Sequence, residues 1–486
     1  MNAPAQQGPA PTLVVDEVIP IERDGVPFAF HVPTSAFYEL DPLTVQVLAA
    51  VNARGSVTEA DLSNGFATAL AVPPEELDEA LRDLMSLRLL VPQEDRGRRI
   101  GGDEPPDLSK GVANLVMHVA HTCNLGCGYC YAEAGLYKGK ATIMTEQRAV
   151  EYVDWLFDQA DPDKKQLGLT FFGGEPLLNP RVIRAGAAHA QKRAKETGRT
   201  ISFGITTNGT LVTEEIAQFL QDINATVTVS LDAIGKTNDR LRPFHSGKGS
   251  YDLVMDKIRP LLDRKIAVAR VTVTRLNLDV VETVSTLLDA GFREVGCSAV
   301  DAKNPAYDLD GSHYHQLLEG MKVLTKRYVE HAARGEFYGF SNIHNIVKAI
   351  HNGHNKEYPC GAGLQMVAGA PNGKMSLCHR FVGEEDFVLG SLQKGGLDEA
   401  KRKATLDAIT LKERSDCGTC WARYICSGGC HHVNFLFNGE ASKTYLTHCD
   451  WLRAWYRTGI ETYADLLKVN PTFINQFVDP GYTCTA

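Results

Sequence analysis

The chain has 486 residues, 44% apolar and 22% charged, with 50 Lys plus Arg against 59 Asp plus Glu and a net charge of −9. That is the make-up of an ordinary globular protein with room for two to four cores. It excludes a basic nucleic-acid-binding chain, and no apolar run approaches the length of a membrane span. The start, Met1-Asn-Ala-Pro-Ala-Gln-Gln, has no signal-peptide core, so a reducing cytoplasm is expected. Twelve cysteines in that compartment point to metal ligands rather than disulfides.

Residues 13–92 read as a small separate unit. Val14 to Leu40 alternates apolar runs with turns at Asp24-Gly25 and Val32-Pro33, as two or three short strands would. Asp41-Pro42 caps a helix whose apolar face is Val45, Val47, Leu48 and Val51. Two more helical patterns start at Thr58 and Pro73. The latter runs to Leu87 with Leu77, Leu81 and Leu84 on one face, and Leu89-Leu90-Val91 closes the unit. Strands followed by three short helices predict a winged-helix-like fold. The strings Phe28-Ala-Phe-His-Val-Pro and Phe37-Tyr-Glu-Leu-Asp-Pro resemble the PqqD-like leader-recognition domains (RiPP recognition elements) of peptide-modifying systems. That resemblance implies a substrate peptide bound as an added strand on a sheet edge. A DNA-binding wing is the alternative, disfavoured by the acidic segment Glu75 to Asp83. Residues 93–111, with Arg96-Gly-Arg-Arg, Gly101-Gly and Pro105-Pro, read as a polar linker.

Residues 112–335 alternate strands and helices. The strand candidates are Leu115–Ala120, Leu167–Phe172, Ile201–Thr206, Thr226–Leu231, Val268–Thr274 and Glu294–Val300. A helix starts at the N-cap Thr145, with Ala149, Val153, Leu156 and Ala160 on one face, and another at Asn179-Pro180. Others lie near 214–220, 251–262, 280–287 and 313–333. Six such units with right-handed crossovers curl into a partial (β/α)6, TIM-like barrel. Chemistry in such folds gathers at the C-terminal ends of the strands.

The first strand runs into His121-Thr-Cys123-Asn-Leu-Gly-Cys127-Gly-Tyr-Cys130-Tyr131. Three thiolates at this spacing can hold three irons of a [4Fe–4S] cube and leave the fourth open. A structural zinc is the plainer reading, but zinc prefers four protein ligands. The stretch resembles the cluster loop of the radical S-adenosylmethionine (SAM) enzymes. The resemblance implies that SAM chelates the open iron and is cleaved to a 5′-deoxyadenosyl radical, with Tyr129 covering cluster and nucleotide. After the second strand, Gly173-Gly174-Glu175-Pro176 resembles the family motif that contacts the SAM amino group. Two glycines allow close backbone approach, and a carboxylate can pair with an ammonium. Asn208 after the third strand, Ser230 and Asp232 at the end of the fourth, and Arg242 in Asp239-Arg-Leu-Arg242 resemble positions lining the SAM pocket. Asn208, Ser230 and Asp232 could equally be turn or cap residues, and Asn238 stands where many relatives carry His. Gly247-Lys-Gly249-Ser250 lacks phosphate-loop spacing and more simply begins a helix. Cys297, in the sixth strand, reads as core packing.

Residues 336–486 hold Cys360, Cys378, Cys417, Cys420, Cys426, Cys430 and Cys449. Two zinc-ribbon pairs are the modest reading, but a ribbon needs four cysteines and here there are seven. The array resembles the SPASM extension of radical SAM peptide maturases. The resemblance assigns Cys417, Cys420, Cys426 and Cys449 to one auxiliary [4Fe–4S] cluster, and Cys360, Cys378 and Cys430 to a second whose fourth ligand is not evident. Three clusters in all are expected. Cys378-His379-Arg-Phe-Val-Gly is similar to thioether-forming maturases, where sulfatase maturases usually carry Asp in place of His. His379 is thus a candidate proton acceptor or cluster neighbour. His431-His432 reads as packing beside the cluster, Asp450–Leu467 as a closing helix, and Cys484 as a tail thiol.

The resemblance spans residues 14 to 468. It implies a maturase that joins cysteines of a peptide or small protein to carbon atoms of other residues. The nearest likeness is to the maturation proteins of quinohemoprotein amine dehydrogenase, which crosslink cysteines to acidic side chains of its small subunit. A cysteine-containing peptide and an external donor such as flavodoxin or ferredoxin are the implied partners. C–C crosslinking, formylglycine formation and a non-catalytic iron–sulfur scaffold are the alternatives; a DNA-binding sensor is disfavoured by the acidic balance.

Overall fold

The computed structural model describes residues 12–58, 61, 66–99 and 107–477; Cys484 lies outside them. Strands β1 (Thr12–Val15), β2 (Val18–Arg23), β3 (Val26–His31) and β4 (Ala36–Glu39) open the chain, followed by the helix Pro42–Arg54 and β5 (Val57–Thr58). The helix Pro74–Ser86 and β6 (Leu90–Pro92) complete the unit. The pattern expected from Thr58 falls partly outside the described residues and is a helix at Ala67–Leu70.

Four strands stand where two or three were expected. They divide between two sheets, β5-β1-β6 and the meander β2-β3-β4. The break is Asp16, buried and bonded to His31 Nε2 at 2.9 Å and to the Gly97 N–H at 2.7 Å. The two sheets also face different cores. Leu13, Val15, Val47, Val51, Leu77, Leu81 and Leu84 form a small core of their own. Ile21, Phe28, Phe30 and Val32 join the main core. Phe37 packs edge-on to Tyr463 at 5.2 Å, and Arg23 pairs with Asp465 at 2.6 Å. The segment read as a linker is tied down at its described end, where Arg99 bonds Asn355 and pairs with Glu357.

The six barrel strands form where hydrophobic runs place them. They are β7 (Asn114–His121), β9 (Gln166–Gly173), β10 (Thr200–Thr207), β11 (Ala225–Ser230), β12 (Ala267–Val273) and β13 (Glu294–Ala299). All are parallel, in the sequential order β13-β12-β11-β10-β9-β7, with the short β8 (Thr142–Ile143) on β7. Thr145 caps the helix Glu146–Gln159 as expected, accepting from the Arg148 N–H. Asn179 differs: its side chain leaves the helix end and donates to the Val119 and Met144 carbonyls, both at 2.9 Å.

A partial barrel has two open edges, which need cover. Both are covered by the C-terminal segment. Phe340 bridges to Val295 beside β13, and β14 (Met366–Gly369) pairs in parallel with β7. The sheet continues antiparallel through β15 (Lys374–Ser376), β16 (Val388–Ser391) and β17 (Gly396–Leu397). The cysteine-rich segment is therefore built onto the barrel wall. The helix Cys449–Val469 closes it, packing against the helix Gly311–Ala333.

Candidate active site

The loop that follows β7 carries Cys123, Cys127 and Cys130 across the C-terminal mouth of the barrel. The three sulfurs are near enough to act on one another electrostatically. Burial pushes the Cys123 thiol up to about 11 and raises Cys127. These thiols are therefore protonated in the metal-free chain, and iron would have to displace the protons.

Gly173 and Gly174 bring β9 against this loop. A Cβ on Gly173 (φ 140°) would lie 2.3 Å from the Ala120 carbonyl oxygen, and one on Gly174 2.2 Å from that of Thr122. The close approach expected of a ligand is thus first of all an approach of chain to chain. Glu175 is fully buried. Its carboxylate accepts from the Leu177 N–H (2.9 Å), the Thr207 hydroxyl (2.7 Å) and the Asn208 N–H (2.6 Å). Burial raises its pKa, with these donors opposing. A carboxylate offers about four acceptor positions, so one remains for an ammonium.

Asn208 braces the cysteine loop. Its amide donates to Asn124 Oδ1 at 2.8 Å and lies 3.7 Å from Cys123 Sγ, while its Oδ1 accepts from the Thr210 N–H and hydroxyl. Asp232 is fully buried; it accepts from the Tyr129 hydroxyl and, at 2.9 Å, from the Thr272 N–H. Arg242 donates to the Tyr129 hydroxyl at 2.6 Å and pairs with Asp232 at 3.4 Å. Burial would lower the Arg242 pKa, but Tyr129, Cys127 and Asp232 hold it above the usual range. Ser230 is half-buried on β11, on the opposite face from the buried Val227 and Val229. Asn124, Thr210, Thr272 and Asn277, which donates to the Asp232 carbonyl at 2.7 Å, were not singled out from sequence. Nearness to the motif strings could have marked Asn124 and Thr210; no local signal marks Thr272 or Asn277.

The C-terminal cysteines gather in two sets. Cys378 has Cys430 and Cys360 as charge neighbours; Cys426 has Cys417, Cys420 and Cys449. Burial lifts Cys378 and Cys426 to about 12. Cys360 and Cys430 are exposed. Among the described residues no three His, Cys, Asp or Glu side chains converge on a point one ion could occupy. A four-iron cube offers a separate iron at each corner, so its thiolates need not meet at a point. The sets fit that group in donor type and number, save that the Cys360 set has three.

His379 and Arg380 project from the cysteine segment back over the barrel. The His379 ring lies 5.0 Å from Phe172 of β9. Burial holds its pKa at about 4, helped by Arg380 and Arg270. Arg380 pairs with Asp301 at 2.7 Å and lies over the Tyr131 ring at 5.1 Å. Tyr131 has both Cys130 and Cys378 as charge neighbours, so it links the first sulfur set to the second. Cys297 is buried in the core, as read.

Residues 117–298 match the radical SAM superfamily. The chain carries a radical SAM domain and is an enzyme. It is 35% identical to the serine-type anaerobic sulfatase-maturating enzyme of Bacteroides thetaiotaomicron over 157 residues, 32% of this chain and 37% of that protein. The match thus spans well under half of the relative's length. The fold is similar to that of anSMEcpe with AdoMet bound, at TM-score 0.63 and 18% identity over 75% of this chain and 99% of that one. It is also similar to Streptococcus suis SuiB bound to precursor peptide SuiA, at TM-score 0.50 and 15% identity over 89% and 98%. At these identities the structural likeness is one of fold. No described helix is long and apolar enough to cross a membrane.

Proposed function

We propose that this radical SAM enzyme matures a ribosomally made peptide or small protein by closing thioether bonds from its cysteines to carbon atoms of other residues. The observation that carries this reading is Tyr131, which has both Cys130 and Cys378 as charge neighbours and lies under Arg380. It supports a reading in which the two sulfur sets lie near enough for a peptide cysteine and a radical source to meet. When bound, SAM and the first cluster supply a 5′-deoxyadenosyl radical, and two auxiliary clusters supply thiolate binding and an electron acceptor. Cys123, Cys127 and Cys130 would hold the first cluster. Glu175, Asn208, Ser230, Asp232 and Arg242 would position SAM, and Tyr129 would cover it. Cys360, Cys378 and Cys430 would hold one auxiliary cluster, and Cys417, Cys420, Cys426 and Cys449 the other. His379, against Phe172, would take the proton of the substrate thiol. The sheets of residues 13–92 would bind the leader, and a flavodoxin or ferredoxin would deliver electrons in the cytoplasm. The small subunit of quinohemoprotein amine dehydrogenase is the substrate this reading favours.

Formylglycine formation is the second reading, favoured by the likeness to sulfatase-maturating enzymes. Co-expression with small cysteine-rich reading frames encoded beside the gene separates the two. Thioether closure removes two hydrogens per bond and leaves the thiol unreactive to alkylation; formylglycine gives an aldehyde that hydrazides trap. A C–C crosslink removes two hydrogens but leaves the thiols free. A chain that binds the peptide yet forms no 5′-deoxyadenosine with SAM and a reductant is a scaffold.

A further inference from the structure

Four arginines are buried among the described residues: Arg242, Arg402, Arg414 and Arg423. Three have a carboxylate partner: Asp232 for Arg242, Glu399 for Arg402 and Glu17 for Arg423. Arg414, 2% exposed, has none among the described residues. Its Nη1 donates to the Ser442 carbonyl at 3.0 Å. Its Nη2 donates to the carbonyls of Ala441 (2.9 Å) and Ile409 (3.4 Å) and to His431 Nδ1 (3.0 Å). Three of these acceptors are neutral carbonyls, and His431 Nδ1 can accept from a guanidinium only when it bears no proton. Nε has no acceptor at all.

The chain nevertheless makes room for this side chain. Gly428, at φ 78°, sits where a Cβ would lie 2.3 Å from Arg414 Cδ, so the turn between Cys426 and Cys430 is shaped around it. The titratable groups that act on the guanidinium are all cysteine sulfurs, Cys417 and Cys426 of one set and Cys430 of the other, and they are negative only as thiolates. An unpaired buried charge is strongly destabilising, and hydrogen bonds to neutral carbonyls do not cancel it. A four-iron cube held by thiolates carries net negative charge and would.

We propose that Arg414 is the shared counter-ion of the two auxiliary clusters and sets their reduction potentials. This rests on the reading that those sulfur sets hold iron–sulfur clusters. Reduction adds an electron to an already anionic cluster, and a fixed cation at its edge stabilises the reduced form. The effect is strong where the surroundings are of low dielectric constant. Arg414 acts through the clusters and is a positioning residue, not a catalytic one.

The test is an anaerobic redox titration, followed by electron paramagnetic resonance, of the full reconstituted chain and its R414Q and R414K variants. Gln can keep hydrogen bonds to the carbonyls without the charge; Lys keeps the charge with fewer bonds. The proposal expects both auxiliary midpoints to shift negative in R414Q and to stay near wild type in R414K, with the first cluster unmoved. Loss of the auxiliary iron in R414Q but not in R414K, leaving roughly 4 of 12 Fe, would also support it. Equal behaviour of the two variants, whether unchanged midpoints or equal iron loss, overturns it and leaves a hydrogen-bonding role. Wild type without iron at Cys360 to Cys449 would instead sink the underlying cluster reading, a separate result.

Discussion

The Tyr129 hydroxyl is hydrogen-bonded to the Asp232 carboxylate, 103 residues away, and so ties the cysteine loop to the end of the fourth barrel strand. Arg242 holds both partners. Removing one member of a buried charged set leaves the other uncompensated, at a cost of about 3–5 kcal/mol. D232N is expected to lower the melting temperature and weaken SAM binding at least ten-fold. Y129F, which removes a neutral hydroxyl, should cost about 1–3 kcal/mol. Calorimetry with SAM and thermal melts of the loaded chain read both.

Glu175 has three protein donors before any ligand arrives. Substituting E175Q turns one acceptor into a donor and strands a buried N–H or hydroxyl, at about 1–3 kcal/mol. Peptide-independent 5′-deoxyadenosine formation should fall at least ten-fold, while total iron stays near wild type. Unchanged product formation would show that the carboxylate serves the fold alone.

Gly174 tests whether the motif glycines act on the loop. The contact that a Cβ would make is with backbone, 2.2 Å from the Thr122 oxygen, so it cannot be relieved by a rotamer change. In G174A the first cluster is expected to be lost and the other two kept, lowering iron from about 12 to about 8 per chain.

Six barrel strands were legible because each rests on local pattern, an apolar run of strand length, whereas the division of the C-terminal cysteines into two sets came only from the resemblance. The edge pairing of β14 with β7 was not legible, because Met366–Gly369 is short and its partner lies some 250 residues earlier. The meander was assigned with its neighbours for a similar reason. Phe28 and Phe30 look the same in sequence whether they face their own helices or the main core. Asn179 has the composition of a cap, and only the structure shows that Val119 and Met144 compete for its side chain. Arg414 lies in the polar run Lys412-Glu-Arg-Ser-Asp, which reads as surface.

Asp16 joins both N-terminal sheets to the segment at Gly97. Burial pushes its pKa up, but the bonds from His31, Gly97 and Glu17 outweigh it and hold the carboxylate below its ordinary value. A carboxyl depressed on folding stabilises the fold above its unfolded pKa, near 3.8, and loses that contribution as pH falls through the folded value. Wild type should therefore lose stability over D16N as pH falls below about 4. At pH 7 D16N should melt lower, and the two should converge in acid, as followed by thermal melts against pH.

The central claim is that three sulfur sets hold three four-iron clusters. Iron and acid-labile sulfide of the anaerobically reconstituted chain, beside the triple variant C123A/C127A/C130A, test it most directly. About 12 Fe per chain, falling to about 8 in the variant with loss of all SAM-dependent 5′-deoxyadenosine, is the expected result. A colourless wild-type protein holding zinc, or one whose iron is unchanged by the triple substitution, would contradict it.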